Sequence, residues 1–147
     1  MTYTPIYKVS LVRDSSIRTE DRPSLTTPLS VVRMLREMVK DTDREQFMVI
    51  MLDARNRVIG VNVASVGTVS ATLVHPREVF KPAIVANAVG IIVAHNHPSG
   101  SSDPSPEDRQ TTRRLVDAGR TLGIPVVDHL IVSDESFVSF RDEGWME

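Results

Sequence analysis

Three residues that commonly bind metal ions occur close together in the chain: His95, His97 and Asp108. The two histidines directly follow the apolar run 91–94, which is short and β-branched and therefore predicts a buried strand. Because side chains on a strand alternate between its faces, both imidazoles should point the same way. Two histidines and one carboxylate, with a fourth position left for water, form the ligand set of a catalytic zinc site. The spacing therefore predicts zinc binding by His95, His97 and Asp108.

The acidic part of this pattern also has a simpler interpretation. Ser105 and Pro106, followed by Glu107 and Asp108, are typical of a helix start, with serine as the N-cap, proline first and acids in the first turn. A single histidine at a strand end is more commonly solvated than a metal ligand. Two histidines at i and i+2, at the exit from a buried strand into a polar loop, favour the metal site.

The spacing of these residues resembles the JAMM motif of the JAB/MPN metallopeptidases. The motif is the run His95-x-His97, then seven residues, then Ser105-x-x-Asp108. Three flanking stretches resemble the RadC branch of that family: His-Pro-Arg-Glu-Val-Phe at 75–80, His-Asn-His-Pro-Ser-Gly at 95–100 and Asp-His-Leu-Ile-Val at 128–132. The resemblance covers about residues 28–140.

The order of predicted elements indicates an α/β fold, a mixed β-sheet flanked by helices in a single domain. The resemblance implies the same architecture, a three-layer sandwich of the cytidine-deaminase-like or JAB/MPN type. We expect an N-terminal strand and polar arm over 1–27, the RadC-like JAB/MPN domain over 28–140, and a C-terminal tail over 141–147. The strand of the arm is expected at 6–12, and a weaker strand at 67–74.

Amide hydrolysis needs a proton shuttle in addition to a metal-activated water. The sequence offers Glu45, Glu78 and Glu107 as candidates, and the resemblance selects Glu45, because the motif's glutamate lies at the start of an early strand. Glu45 could equally be an ordinary exposed acid. Ser105 is expected to face the reacting water or the developing oxyanion.

Two further histidines, His75 and His129, lie outside this motif. His129 lies within an apolar run, so a buried histidine holding a backbone carbonyl is favoured over a ligand, and a supporting role behind the metal is the alternative. His75 lies at a strand-to-helix junction and is expected to be a turn or surface residue. On the helix after Pro106, residues Leu115, Ala118 and Leu122 form the expected apolar face.

The length, net charge and composition of the chain make some classes of function less favoured than others. Its 147 residues fit one domain, and its net charge of -2 carries no basic signature, so we expect no direct nucleic-acid binding by this chain alone. The absence of cysteine excludes disulfides and thiolate ligands and fits a cytoplasmic location. No apolar run is long enough to span a membrane, and no signal peptide is apparent. The oligomeric state is not encoded in any pattern.

The predicted function is a zinc-dependent hydrolase of peptide or isopeptide bonds that acts on a protein or peptide substrate. The alternative is a non-catalytic RadC-like accessory module in DNA repair or metabolism. RadC proteins carry an N-terminal region resembling a helix-hairpin-helix DNA-binding module, and this chain has only a short N-terminal segment. The tripeptide at 95–97 also spells HNH, but the HNH nucleases take their three residues from separated positions, so a nuclease is discounted.

Overall fold

The computed structural model describes residues 1–67, 74–98 and 100–146. Within these residues the helices are α1 (Pro28–Val39), α2 (Pro76–Val85) and α3 (Pro106–Leu122), and the strands are β1 (Gln46–Leu52), β2 (Val58–Val66), β3 (Gly90–Asn96), β4 (Val126–Val132) and β5 (Phe137–Ser139). None of the described helices combines the length and the apolar character needed to cross a membrane.

The strands form one mixed sheet in the order β2-β1-β3-β4-β5, so that β3 is the central strand. β1 runs antiparallel to both β2 and β3, whereas β3 and β4 are parallel and β5 returns antiparallel to β4. A parallel pair needs a long crossover connection, and α3 provides it between β3 and β4. The predicted α/β fold with a mixed sheet in one domain is confirmed.

Both faces of the sheet are covered by helices. Successive residues of β1 alternate between two apolar clusters, one shared with α2 and α3 and the other with α1. The first cluster contains Phe47, Val49 and Met51 of β1 with Val79, Phe80 and Leu115 of the helices. The second contains Met48, Ile50 and Leu52 of β1 with Val31, Val32 and Leu35 of α1. The sheet is therefore the middle layer of a three-layer sandwich, as expected.

The buried face of α3 differs from the expected one. The helix buries Asp108, Thr111, Thr112, Leu115 and Gly119. Leu122 is 47% exposed, so the apolar face predicted from Leu115, Ala118 and Leu122 is wrong at its C-terminal end. A β-carbon at position 119 would lie 2.6 Å from the carbonyl oxygen of Ile124, so glycine permits the close approach there. The first turns of α3 bury polar residues because they face His95 and His129 on the sheet.

The N-terminal arm also departs from expectation. The strand predicted over 6–12 does not form, since residues 1–19 carry neither helix nor strand and Ile6 is 97% exposed. Its loose alternation has no buried face to pack against, so burial does not stabilise a strand there. The weaker strand predicted over 67–74 falls largely on residues 68–73, which lie outside the described residues. The domain boundaries at 27 and 140 stay a prediction.

A buried carboxylate ties β4 to the segment after β5. Asp128 accepts the backbone N–H groups of His129 at 2.7 Å and Arg141 at 3.0 Å, and the hydroxyl of Ser139 at 2.6 Å. Burial raises the pKa of the Asp128 carboxyl, and these hydrogen bonds oppose that rise. The Asp128 side chain thus anchors the segment after β5 to β4, next to His129.

Candidate metal centre

His95 and His97 leave the sheet at the carboxyl end of its central strand. Every residue of β3 is buried, and His95 has no exposed surface. His95 lies on the face covered by α2 and α3, because it pairs with Phe47 of the same apolar cluster. The backbone N–H of His97 donates to the carbonyl of Val132 at 3.0 Å, so the chain stays beside the end of β4. His95 is therefore held within the covered part of the sheet, and His97 lies directly after it, beside the end of β4.

Asp108 reaches the histidines from the first turn of α3. Ser105 is the N-cap of that helix, and its Oγ accepts the backbone N–H of Asp108 at 3.1 Å. In return Oδ2 of Asp108 accepts the backbone N–H of Ser105 at 2.8 Å, which completes a capping box. The helix-start interpretation and the metal-ligand interpretation therefore both apply to Asp108.

Three potential ligand atoms converge at this point. Nε2 of His95 lies 2.9 Å from Nε2 of His97 and 3.3 Å from Oδ1 of Asp108. Nε2 of His97 lies 3.7 Å from Oδ2 of Asp108. Tetrahedral ligands about 2.0–2.1 Å from a zinc ion are themselves about 3.3 Å apart, and the observed separations bracket that value. These side chains could bind a metal ion.

The protonation states of Asp108 and His97 favour the binding of a cation. The Asp108 carboxylate accepts the backbone N–H of Ser105, and a hydrogen bond of this kind favours the charged form of a carboxyl group. Nδ1 of His97 lies 2.8 Å from the carbonyl oxygen of Ser101, which can only accept, so Nδ1 carries the proton and Nε2 presents its lone pair. Asp108 and His97 therefore offer negative charge and a lone pair to the same point.

The sequence of the chain matches a known protein family. The model of the RadC-like JAB domain matches residues 25–145. The chain belongs to this family. It is 47% identical over 134 residues to the UPF0758 protein of Rubrobacter xylanophilus, covering 91% of this chain and 59% of that protein. It is 52% identical over 123 residues to the UPF0758 protein STH371 of Symbiobacterium thermophilum, covering 84% of this chain and 53% of that protein.

A UPF0758 protein of Methanosarcina mazei is similar at 38% identity over 128 residues, which is 87% of this chain and 56% of that protein. The chain thus spans a little over half the length of these relatives. The predicted resemblance to the RadC branch of the JAB/MPN proteins is confirmed, and the names of the relatives state no activity.

His129 of this RadC-like JAB domain lies behind the ligands and outside the convergent set. Its ring is fully buried, with Nε2 2.9 Å from Nδ1 of His95 and Nδ1 2.6 Å from Oγ1 of Thr112. Burial, and then the neighbouring His95, lower the pKa of His129 well below its ordinary value. The predicted burial is confirmed, but the side chain contacts His95 and Thr112 where a backbone carbonyl was expected.

His75 takes no part in the cluster. It is exposed and caps α2, where Nδ1 accepts the backbone N–H of Arg77 at 3.1 Å. The sequence-based expectation of a turn or surface histidine is confirmed.

Asn96 has a positioning role that sequence reasoning missed. Its Oδ1 accepts the backbone N–H of Gln46 at 2.7 Å, and its Nδ2 donates to the carbonyl of Arg44 at 3.0 Å. These two groups belong to the peptide units on either side of Glu45, so Asn96 fixes the backbone at that residue. The available signal was an amide within a strand that is otherwise apolar, since a buried amide must find partners for both its ends.

Removal of either a histidine or the acid should abolish metal binding. We expect the protein to hold about one zinc per chain, and His97→Ala and Asp108→Ala to lose it, because two ligands and a water seldom retain zinc. Elemental analysis after dialysis measures the content. His75→Asn is the matched control: it alters a histidine outside the cluster, keeps an N-cap residue and should leave the zinc content unchanged. Full zinc retention in both ligand variants would contradict the assignment.

Proposed function

We propose that this domain is a zinc-dependent hydrolase of amide bonds, either peptide or isopeptide. The observation that carries the proposal is the convergence of His95, His97 and Asp108, whose ligand atoms lie 2.9 to 3.7 Å apart. A zinc ion held there would act as a Lewis acid, lowering the pKa of a bound water and polarising the scissile carbonyl.

The chemistry of the donor set supports zinc. Two imidazole nitrogens and one carboxylate are typical ligands of catalytic zinc, whereas calcium and magnesium favour oxygen ligands throughout. The chain has no cysteine, so thiolate coordination is excluded. Two neutral imidazoles and one carboxylate cancel only one unit of the ion's charge. The site therefore keeps the net positive charge on which water activation depends.

The burial of the ligands determines from which side a substrate can approach. His95 and Asp108 are almost fully buried, whereas the His97 side chain is 15% exposed and Ser105 and Glu45 are partly exposed. A substrate carbonyl would therefore reach the site past His97, between Ser105 at the start of α3 and Glu45 before β1. Both candidate catalytic residues keep some exposed surface, as groups that react with a substrate must.

Glu45 is the proton shuttle in this proposal. β1 pairs with β3 so that Phe47 lies opposite His95, and Glu45 directly precedes the first residue of β1. An extended backbone at Glu45 would continue the alternation of β1 and direct the Glu45 side chain to the face that His95 occupies. Asn96 holds both peptide units around Glu45. A carboxylate placed there takes a proton from the attacking water and returns it to the leaving amine.

Ser105 stabilises the developing negative charge. Its Oγ accepts the backbone N–H of Asp108, and a hydroxyl that accepts one hydrogen bond can still donate its own proton. The capping geometry fixes this oxygen next to Asp108, so its proton would be free to hydrogen-bond to the substrate oxygen. A donor in such a position is worth a factor of about 10²–10³ in rate.

Glu45→Gln should separate catalysis from binding. A screen of peptide, isopeptide-linked and DNA substrates with the zinc-loaded protein identifies the reactive class, and we expect cleavage of an amide bond. On that substrate Glu45→Gln should lose a factor of about 10²–10⁴ in kcat while keeping its zinc and its fold, because only the proton transfer is removed.

Glu78→Gln is the matched control, because Glu78 pairs with Lys81 on the exposed surface of α2 and should be dispensable. A normal rate for Glu45→Gln would move the shuttle role to Glu107, and loss of zinc would make Glu45 a ligand. A screen in which no amide bond is cleaved would favour the accessory-module alternative, and DNA cleavage would favour a nuclease.

Two substitutions of Ser105 distinguish its structural from its catalytic role. As an N-cap, Ser105→Ala should reduce the free energy of unfolding by about 1 kcal/mol and Ser105→Gly by only a few tenths. As an oxyanion donor, both should reduce kcat by about 10²–10³ with zinc retained. Urea denaturation and steady-state kinetics on the same preparations measure the two effects. Full activity in both variants would leave Ser105 as a cap alone.

A further inference from the structure

A chain of hydrogen bonds leaves His95 and returns to Asp108 through two residues outside the ligand set. Nδ1 of His95 lies 2.9 Å from Nε2 of His129, and Nδ1 of His129 lies 2.6 Å from Oγ1 of Thr112. The same Oγ1 lies 2.8 Å from the backbone carbonyl of Asp108, four residues earlier in α3. Two ligands on different elements are thus joined by a path within the core.

The hydroxyl proton of Thr112 determines which atom donates in each of these hydrogen bonds. A carbonyl oxygen can only accept, so the 2.8 Å contact between Oγ1 and the Asp108 carbonyl is attractive only if the hydroxyl donates. Such a bond to the carbonyl at i−4 is common for threonine in helices. Oγ1 then has only lone pairs to offer His129, whose Nδ1 must carry the proton. The fully buried, neutral ring of His129 consequently presents an unprotonated Nε2.

The protonation of His129 determines in turn which nitrogen of His95 carries a proton. Because Nε2 of His129 is an acceptor, Nδ1 of His95 must donate to it, and the neutral ring of His95 then has its lone pair on Nε2. That nitrogen is the one that lies 2.9 Å from Nε2 of His97 and 3.3 Å from Oδ1 of Asp108. The network therefore selects the His95 tautomer that can bind a metal.

We infer that His129 and Thr112 are positioning residues that fix the tautomer and orientation of His95 and couple it to Asp108, so that the ligands are arranged before the metal binds. The inference rests on the metal site of the proposed function. It adds two residues that contact neither the metal position nor the substrate.

Aromatic packing holds the intermediate ring in place. His129 stacks on Phe140, with ring centroids 4.4 Å apart and planes inclined by 24°, and it meets the edge of Phe47 at 5.8 Å. Phe140 in turn contacts Trp145 of the C-terminal tail edge-on at 5.4 Å. A ring clamped between two phenylalanines has little freedom to rotate, so the orientation imposed by Thr112 is transmitted to His95.

Zinc affinity, measured by competition with a chelator, tests this inference without requiring a substrate. Thr112→Val and His129→Phe should each weaken zinc binding about 10–100-fold, the usual effect of removing a hydrogen-bond partner behind a metal-bound histidine. Thr112→Ser keeps the hydroxyl and should stay within about threefold of the wild type. Thr111→Val is the matched control, because Thr111 is a buried neighbour whose hydroxyl has no partner in the described part of the chain. It should bind zinc like the wild type.

The tautomer of His129 provides a readout that needs no variant. Nitrogen-15 NMR of the zinc-loaded wild type should show His129 protonated on Nδ1 alone, and an Nε2-protonated or doubly protonated ring would overturn the inference even if a variant failed to fold. Wild-type zinc affinity in both Thr112→Val and His129→Phe would overturn it while leaving the proposed function intact. A wild type that binds no zinc would overturn both.

Discussion

The structure depends on holding three electron-rich groups together where water is nearly excluded. Two imidazole lone pairs and a carboxylate within 3.7 Å of one another repel strongly at low dielectric, and only a cation between them turns that repulsion into attraction. The fold must therefore oppose the repulsion before the cation binds. Rigid backbone and directed hydrogen bonds do so, and that requirement explains why polar groups occupy the buried face of α3.

Two of the candidate ligands, His97 and Asp108, are each held by two hydrogen bonds. His97 is fixed through its backbone N–H on β4 and its ring N–H on the carbonyl of Ser101. Asp108 is fixed by the capping box with Ser105. The macrodipole of a helix favours a carboxylate in its first turn, so the position that suits the helix is also the one that suits the site. Metal binding and helix initiation thus share the same carboxylate.

Local sequence rules predicted much of this arrangement. The apolar run that forms β3, the proline and serine at the start of α3 and the spacing of the two histidines are short-range patterns, and their physical causes act within a few residues. The start of α3 at Pro106 follows directly from them. The strand expected over 6–12 failed because alternation without a surface to pack against does not stabilise a strand.

The remaining features depend on contacts between residues far apart in sequence. The pairing of β3 with β4 shifts register between Ile91 and Ile92, and beyond that shift His129 lies opposite Val93 on the face of the ligands. Strict alternation from Val126 would direct His129 to the opposite face, since a one-residue slip exchanges the two sides of a strand. Asn96 bonds to the backbone on either side of Glu45, and these partners could not be predicted from the pattern of β3 alone.

We propose that one zinc ion binds to two histidines, one aspartate and water. X-ray absorption at the zinc edge of the loaded protein tests it most directly, because scattering from imidazole rings counts the histidines. We predict four nitrogen or oxygen ligands about 2.0–2.1 Å from the zinc, with two imidazoles and no sulfur. A third imidazole would make His129 a ligand, and a six-coordinate oxygen shell would place the metal elsewhere; either result would contradict the account.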